Sequence, residues 1–331
     1  MMEETTRKLI RREGNTQGGA LLVYMGIMNA AVIVLMVIST LMQMFALFAS
    51  GSSMPDLDDA LINGLMEKAT EISNWGYLLA IVMGLVMLLL WKKPSYFRQT
   101  ILVRGKKMGV KAFLLITVIF LVGQQLFQWW YLLLDMISNS LGISLDAILE
   151  SGNVDTHSVP MFLYACLLGP VAEEILFRGL VLRSLQPYGK KFAILVSSLL
   201  FGLFHGNLMQ APFAFVVGLV LGYVALEYHI WWAVVLHLIN NLGFADLLPR
   251  ILAFLPQGTG DLILTVFLLA CTVAAVVIFI LRWREVRDYW KENPTEKGTY
   301  SAFFRAPAMV IFLVITVPLM LIALPLLSLL Q

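Results

Sequence analysis

Apolar residues in this chain run in long blocks separated by short polar connections. Nine blocks read as candidate membrane helices: Ala20 to Ala49, Tyr77 to Trp91, Ala112 to Leu134, Pro160 to Val181, Phe192 to Leu208, Pro212 to Leu226, Trp231 to Leu248, Leu262 to Leu281, and Ala308 to Leu330. A bilayer core of about 30 Å takes roughly 20 residues of helix. The pattern therefore predicts an all-α polytopic bundle of eight or nine spans, the eight-span version leaving one short segment re-entrant. The second, fifth and sixth blocks are the short or interrupted ones. Basic residues precede the first block as they would a signal peptide. Its apolar region is too long for a signal core, so it is expected to stay as an anchor.

Composition agrees with that class. Of the 331 residues, 60% are hydrophobic and 13% are charged, against about one half and one quarter in soluble domains. Disorder is excluded on the same ground, and a net charge of +2 is too small to suggest a nucleic-acid partner. Cys166 and Cys271 both lie in apolar blocks, so no disulfide framework is implied. No internal repeat or soluble domain is visible, and residues 1–331 read as one integral membrane domain.

The positions of the charges say more than their sum. Arg7, Lys8, Arg11 and Arg12 precede the first block, and Lys92 to Lys111 fill the second gap with basic residues. Arg183, Lys190 and Lys191 follow the fourth block, and Arg282 to Arg305 separate the last two. Alternating nine spans puts all of these on one side, which the positive-inside rule assigns to the cytoplasm together with the N-terminus. Only Lys68 and Arg250 fall on the other side, where the connections carry Asp56, Asp58, Asp59, Glu67, Glu71, Asp146, Glu150 and Asp155.

Ionisable residues within the blocks point to a site, because charge there is costly and needs a reason. The fourth block contains Glu173-Glu174 and, four residues after the second, Arg178; the fifth contains Phe201 and His205; the seventh contains His237, Asn240 and Asn241. At 1.5 Å per residue the three clusters reach similar depths near mid-membrane. Glu174 and Arg178 stack on one helical face, whereas Glu173 is turned about 100° away. Arg178 is thus expected to neutralise Glu174 and leave Glu173 available as a general base or acid. His237 and Asn241 also share a face, where they suit orientation of water and donation to an oxyanion. Asn240 lies on the next face. Gly202 and Gly206, then Gly218 and Gly222, repeat a spacing that lets helices approach closely. Pro170 either kinks its helix or begins it.

Glu-Glu-x-x-x-Arg at 173–178, Phe-x-x-x-His at 201–205 and His-x-x-x-Asn at 237–241 resemble the motifs of the CAAX protease and bacteriocin-processing family. These are the CPBP or Abi intramembrane proteases, which include the type II CAAX prenyl endopeptidase. The resemblance implies a catalytic core within residues 160–248 and an intramembrane endopeptidase with a cytoplasm-facing cavity. It assigns water activation to Glu173 with His205, oxyanion stabilisation to His237 and Asn241, and support to Glu174, Arg178 and Phe201. Glu173, His205 and His237 would also make a His₂Glu zinc set with one open position. A ligating Glu173 would leave only the arginine-paired Glu174 as base, and the chain has no His-Glu-x-x-His. Catalysis without metal or other cofactor is the expectation.

The resemblance implies a membrane-associated or lipid-modified peptide or protein as substrate, met within the bilayer. The positive-inside, single-chain organisation fits a multi-pass protein of a bacterial plasma membrane, where a peptide or bacteriocin is a more natural substrate than a prenylated protein. Two other readings use the same residues. One is a non-proteolytic bacteriocin-immunity or peptide-binding protein. The other is a proton-coupled transporter, which the lack of inverted repeats argues against.

Overall fold

The computed structural model describes residues 3–49, 59–141 and 156–328. Every regular element among them is helical. In chain order these are α1 (Glu4–Ala49), α2 (Asp59–Trp91), α3 (Val110–Leu141), α4 (Val159–Tyr188), α5 (Lys190–Phe204), α6 (Gln210–Glu227), α7 (Ile230–Leu252), α8 (Thr259–Leu281), α9 (Trp283–Glu292), α10 (Thr299–Phe304) and α11 (Pro307–Ser328), with a short helical connection, Pro94–Tyr96 and Phe97–Ile101, between α2 and α3. Asp56, Asp58, Asp146, Glu150 and Asp155, counted above among the acidic connections, lie outside the described residues.

Among the described residues, seven helices are long and apolar enough to cross a bilayer: α1, α2, α3, α4, α6, α7 and α8. The nine expected spans differ from these at the fifth block, which forms a helix of only 15 residues, about 22 Å long at 1.5 Å per residue and short of the bilayer core. The ninth forms α11, a helix of 22 residues. The second block proves longer than its apolar run, because α2 starts at Asp59. Helix α1 likewise begins at Glu4 and buries Ile10, Gly14, Gln17 and Gly18 in its polar first third. There the backbone N–H of Ala308 donates to Asn15 Oδ1 at 3.0 Å.

The core sits among α4, α5, α6 and α7. Leu176, Phe177 and Val181 of α4 pack with Leu200 and Phe201 of α5, Leu221 of α6 and Leu236 of α7, while Tyr24 of α1 and Phe303 and Phe312 of the C-terminal helices close one flank. The remaining long helices turn apolar side chains outward, Phe45, Leu90 and Ile280 among them. That is the arrangement lipid requires, since the bilayer solvates apolar surface and burial is reserved for packing.

Helices α5 and α6 form a hairpin whose turn contains His205. A Cβ on Gly202 would lie 2.6 Å from the carbonyl oxygen of Ala211, so only glycine lets the two helices meet there. Gly206 takes φ 59° at the turn itself, a conformation that strains L side chains. The expected small-residue spacing thus has a local reason.

At one end of the bundle Glu227 gathers partners from several elements. It accepts from Lys190 Nζ at 2.6 Å and from the Tyr289 hydroxyl at 3.1 Å, with Lys106 Nζ 3.4 Å away. The backbone N–H groups of Gly105 and Lys106 donate to the carbonyls of Tyr228 and Glu227. Basic segments that the alternation rule puts on one side therefore meet at one end. Assigning that end to the cytoplasm rests on the positive-inside pattern alone.

Candidate functional site

Two helices carry most of the site, and both depart from regular α geometry beside it. Within α4 the chain forms π-helical turns at Leu163–Leu168 and Ile175–Leu182, flanking the α-helical segment Gly169–Glu174. Pro170 stands at the start of that segment. Its missing N–H and its ring are accommodated by the wide turn before it, so α4 runs through instead of breaking. Within α7 a π-helical stretch, Ile239–Leu247, begins two residues after His237. An extra residue per turn re-aims side chains, and such turns recur at functional sites.

Glu174 and Arg178 are both fully buried, with Arg178 Nη1 3.2 Å from Glu174 Oε1. The guanidinium also lies 4.4 Å from the centre of the Phe201 ring and donates to the carbonyl of Gly218 at 3.4 Å. Phe201 thus holds the arginine by its face while packing edge-on against His205 and His237. The two adjacent glutamates have different surroundings. Glu173 keeps 22% of its side chain exposed and faces a cavity, with its Oε2 3.7 Å from His237 Nε2.

His237, 5% exposed, stands between the two carboxylates. Its Nδ1 is 2.9 Å from Glu174 Oε1. Beside Arg178 that carboxylate is an acceptor, so the Nδ1 proton lies in this bond. Nε2 then faces Glu173 and donates only when the ring carries both protons. His205, at the C-terminal end of α5, is held in the same manner. Its Nδ1 is 2.8 Å from the Phe201 carbonyl, which can only accept, so a neutral His205 presents a bare Nε2.

Asn241 Nδ2 donates to the carbonyl of Ala165 at 2.9 Å, and its second N–H has no partner among the described residues. Asn240 donates to Asn241 Oδ1 at 2.9 Å, and Gln124 of α3 donates to Asn240 Oδ1 at 2.7 Å. Three amides in line thereby fix which way Asn241 points.

Glu173, His205, His237 and Asn241 all line one cavity of about 280 Å³, whose apolar wall includes Phe127, Phe213 and Val217. The structure therefore brings the four sequence-picked residues to one space, with Glu174 and Arg178 behind it. Four further polar lining residues escape the sequence reading: Gln124, Thr156, Gln210 and Asp246. Asp246 had a legible signal, as an acid inside an apolar block with Arg250 four residues on. Gln124 had almost none, because its partner lies 116 residues away. Among the described residues, no three His, Cys, Asp or Glu side chains are grouped so as to hold a metal ion.

Residues 155–243, the stretch that holds all three motifs, match the family model described as Type II CAAX prenyl endopeptidase Rce1-like. Over this stretch the chain is similar to the Rce1-like family. The match spans the cavity-bearing parts of α4 to α7 and supports, at that coarse level, a CAAX-type protease in a multi-pass membrane protein. No curated protein and no solved structure matches the chain.

Proposed function

We propose that this protein is an intramembrane endopeptidase that activates water with Glu173 and acts on membrane-associated or lipid-modified peptides. The observation that carries the proposal is the division of labour between adjacent carboxylates. Glu174 is spent on Arg178 and His237, while Glu173 borders the cavity partly exposed.

In this reading a water in the cavity is oriented by Glu173 and the bare Nε2 of His205, both of which accept its protons. Glu173 takes one proton as the oxygen attacks the scissile carbonyl. Charge on the resulting oxyanion is met by the free N–H of Asn241 and by Nε2–H of the doubly protonated His237. Glu173 then returns the proton to the leaving amine as the C–N bond breaks. Arg178 and Glu174 hold His237 in register, and Phe201 holds Arg178. Water activation proceeds without a metal. In this reading the membrane is a bacterial plasma membrane, and the positive-inside pattern supports a cytoplasmic Glu227 end.

The test compares peptide termini in membranes of cells carrying the native protein with those carrying Glu173→Gln at matched levels. Termini that vanish in the variant are expected, and they name the substrate. Identical termini would refute proteolysis and favour a protein that binds peptide without cleaving it.

A further inference from the structure

The cavity holds a second carboxylate that the chemistry above does not use. Asp246 is 3% exposed and lies on the π-helical stretch of α7. Its Oδ1 is crowded: it accepts from Arg250 Nε at 3.1 Å, from Arg250 Nη2 at 2.8 Å and from the Thr156 hydroxyl. Its Oδ2, buried as well, has no hydrogen-bond partner among the described residues. A buried carboxylate oxygen left unsatisfied costs free energy and calls for a reason. All three braces approach through one oxygen, and the side chain borders the cavity. The other oxygen is thus an acceptor that no described group uses, on a side chain that lines the cavity.

We infer that Asp246 is a specificity-determining residue that accepts a hydrogen bond from a basic side chain of the substrate. The inference rests on the protease reading above. Chemistry at Oδ2 favours a donor: Arg250 shares the carboxylate through Oδ1, and the wall carries Glu173 and two histidines but neither Lys nor Arg, so no lining group supplies a strong donor and a basic side chain is the best one a peptide offers. A carboxylate of the substrate would bring no proton to this oxygen. Position fixes the subsite. Asp246 is nine residues beyond His237, at most about 14 Å along the helix axis. An extended peptide covers that in about three to four residues at roughly 3.3–3.6 Å each. The selected Lys or Arg therefore sits three to four residues from the cleaved bond, on the part of the substrate that reaches toward Thr156 and Arg250.

Asp246→Asn tests this, because the amide keeps an acceptor for Arg250 and Thr156 but can put an N–H where Oδ2 was. Peptide termini are mapped in membranes of cells carrying the native protein, Glu173→Gln, Asp246→Asn or Thr156→Val at matched levels. Glu173-dependent cuts are expected to carry Lys or Arg three to four residues away. In Asp246→Asn the yield of those cuts should fall about ten- to a hundred-fold, the range for a bond to a charged group. Thr156→Val removes a bond to Oδ1 only and should retain the preference. Glu173-dependent cuts without basic enrichment, or equal yield in Asp246→Asn, would overturn the inference while leaving proteolysis standing. Equal loss in Thr156→Val would reduce Asp246 to a brace and overturn it too. No Glu173-dependent cut at all would refute the protease reading, and the inference with it.

Discussion

Removing the charge from Glu174 should damage the fold, and removing it from Glu173 should not, although the two residues are adjacent. Glu174 and Arg178 have no exposed side-chain surface, and their charged atoms are 3.2 Å apart. Glu174→Gln leaves the guanidinium buried without its counter-charge, a change that costs about 3–5 kcal/mol. It also weakens the bond from His237 Nδ1, so the upper part of that range applies. At about 1.4 kcal/mol per decade, the folded-to-unfolded ratio should drop by roughly a thousand- to several-thousand-fold. Glu173, partly exposed with a 3.7 Å contact to His237, should lose about 0–1 kcal/mol on conversion to Gln. Thermal unfolding of the purified protein in detergent, together with its level in the membrane, measures both. A double variant, Glu174→Leu with Arg178→Met, should recover much of the loss, because removing both partners strands no charge. Equal destabilisation by Glu173→Gln and Glu174→Gln would refute the division of labour. So would a double variant no better than Glu174→Gln alone.

The remaining predictions concern single contacts. Gln124→Leu should lower the cleavage rate while leaving thermal stability within about 1 kcal/mol of native, since it frees Asn240 and Asn241 to turn; Gln124→Glu, which keeps an acceptor but no donor, should not rescue the rate. Gly202→Val should cut membrane accumulation sharply, because its Cβ would meet the Ala211 carbonyl and overpacking of this kind costs about 1–3 kcal/mol. Chelators such as EDTA or 1,10-phenanthroline should leave the rate of Glu173-dependent cleavage unchanged, and a loss restored by added zinc would refute the metal-free mechanism. Burial, and then the neighbouring Glu227 carboxylate, hold the Tyr289 phenol well above its ordinary value. A raised folded value favours the neutral form, so this stabilisation is full below about pH 10 and is lost as pH climbs through the folded value. Ultraviolet titration should count the same number of tyrosinates near pH 11 in the native protein and in Tyr289→Phe, because the Tyr289 phenol is still protonated there; one more in the native protein would refute the raised value.

Much of the architecture was legible along the chain, for a local reason. Bilayer crossing depends on the length and polarity of one contiguous segment, and the long helices α1, α3, α4, α7 and α8 appear where their apolar blocks lie. Pairing of Glu174 with Arg178 was likewise readable, because one helical turn fixes it without reference to any other element. The motif residues could be picked because charge in an apolar block stands out. What the chain alone left open depends on contacts between distant segments. The shortness of α5 is a product of the hairpin that turns at His205 and Gly206, with α6 packed against Gly202. His237 could be placed near the glutamates, but which carboxylate takes which ring nitrogen follows from how α7 lies against α4. The line from Gln124 through Asn240 to Asn241, and the one-sided bracing of Asp246, arise only when α3, α4 and α7 are packed together. Hydropathy and helical periodicity report a residue's own helix; the geometry of a site built between helices is set by their packing.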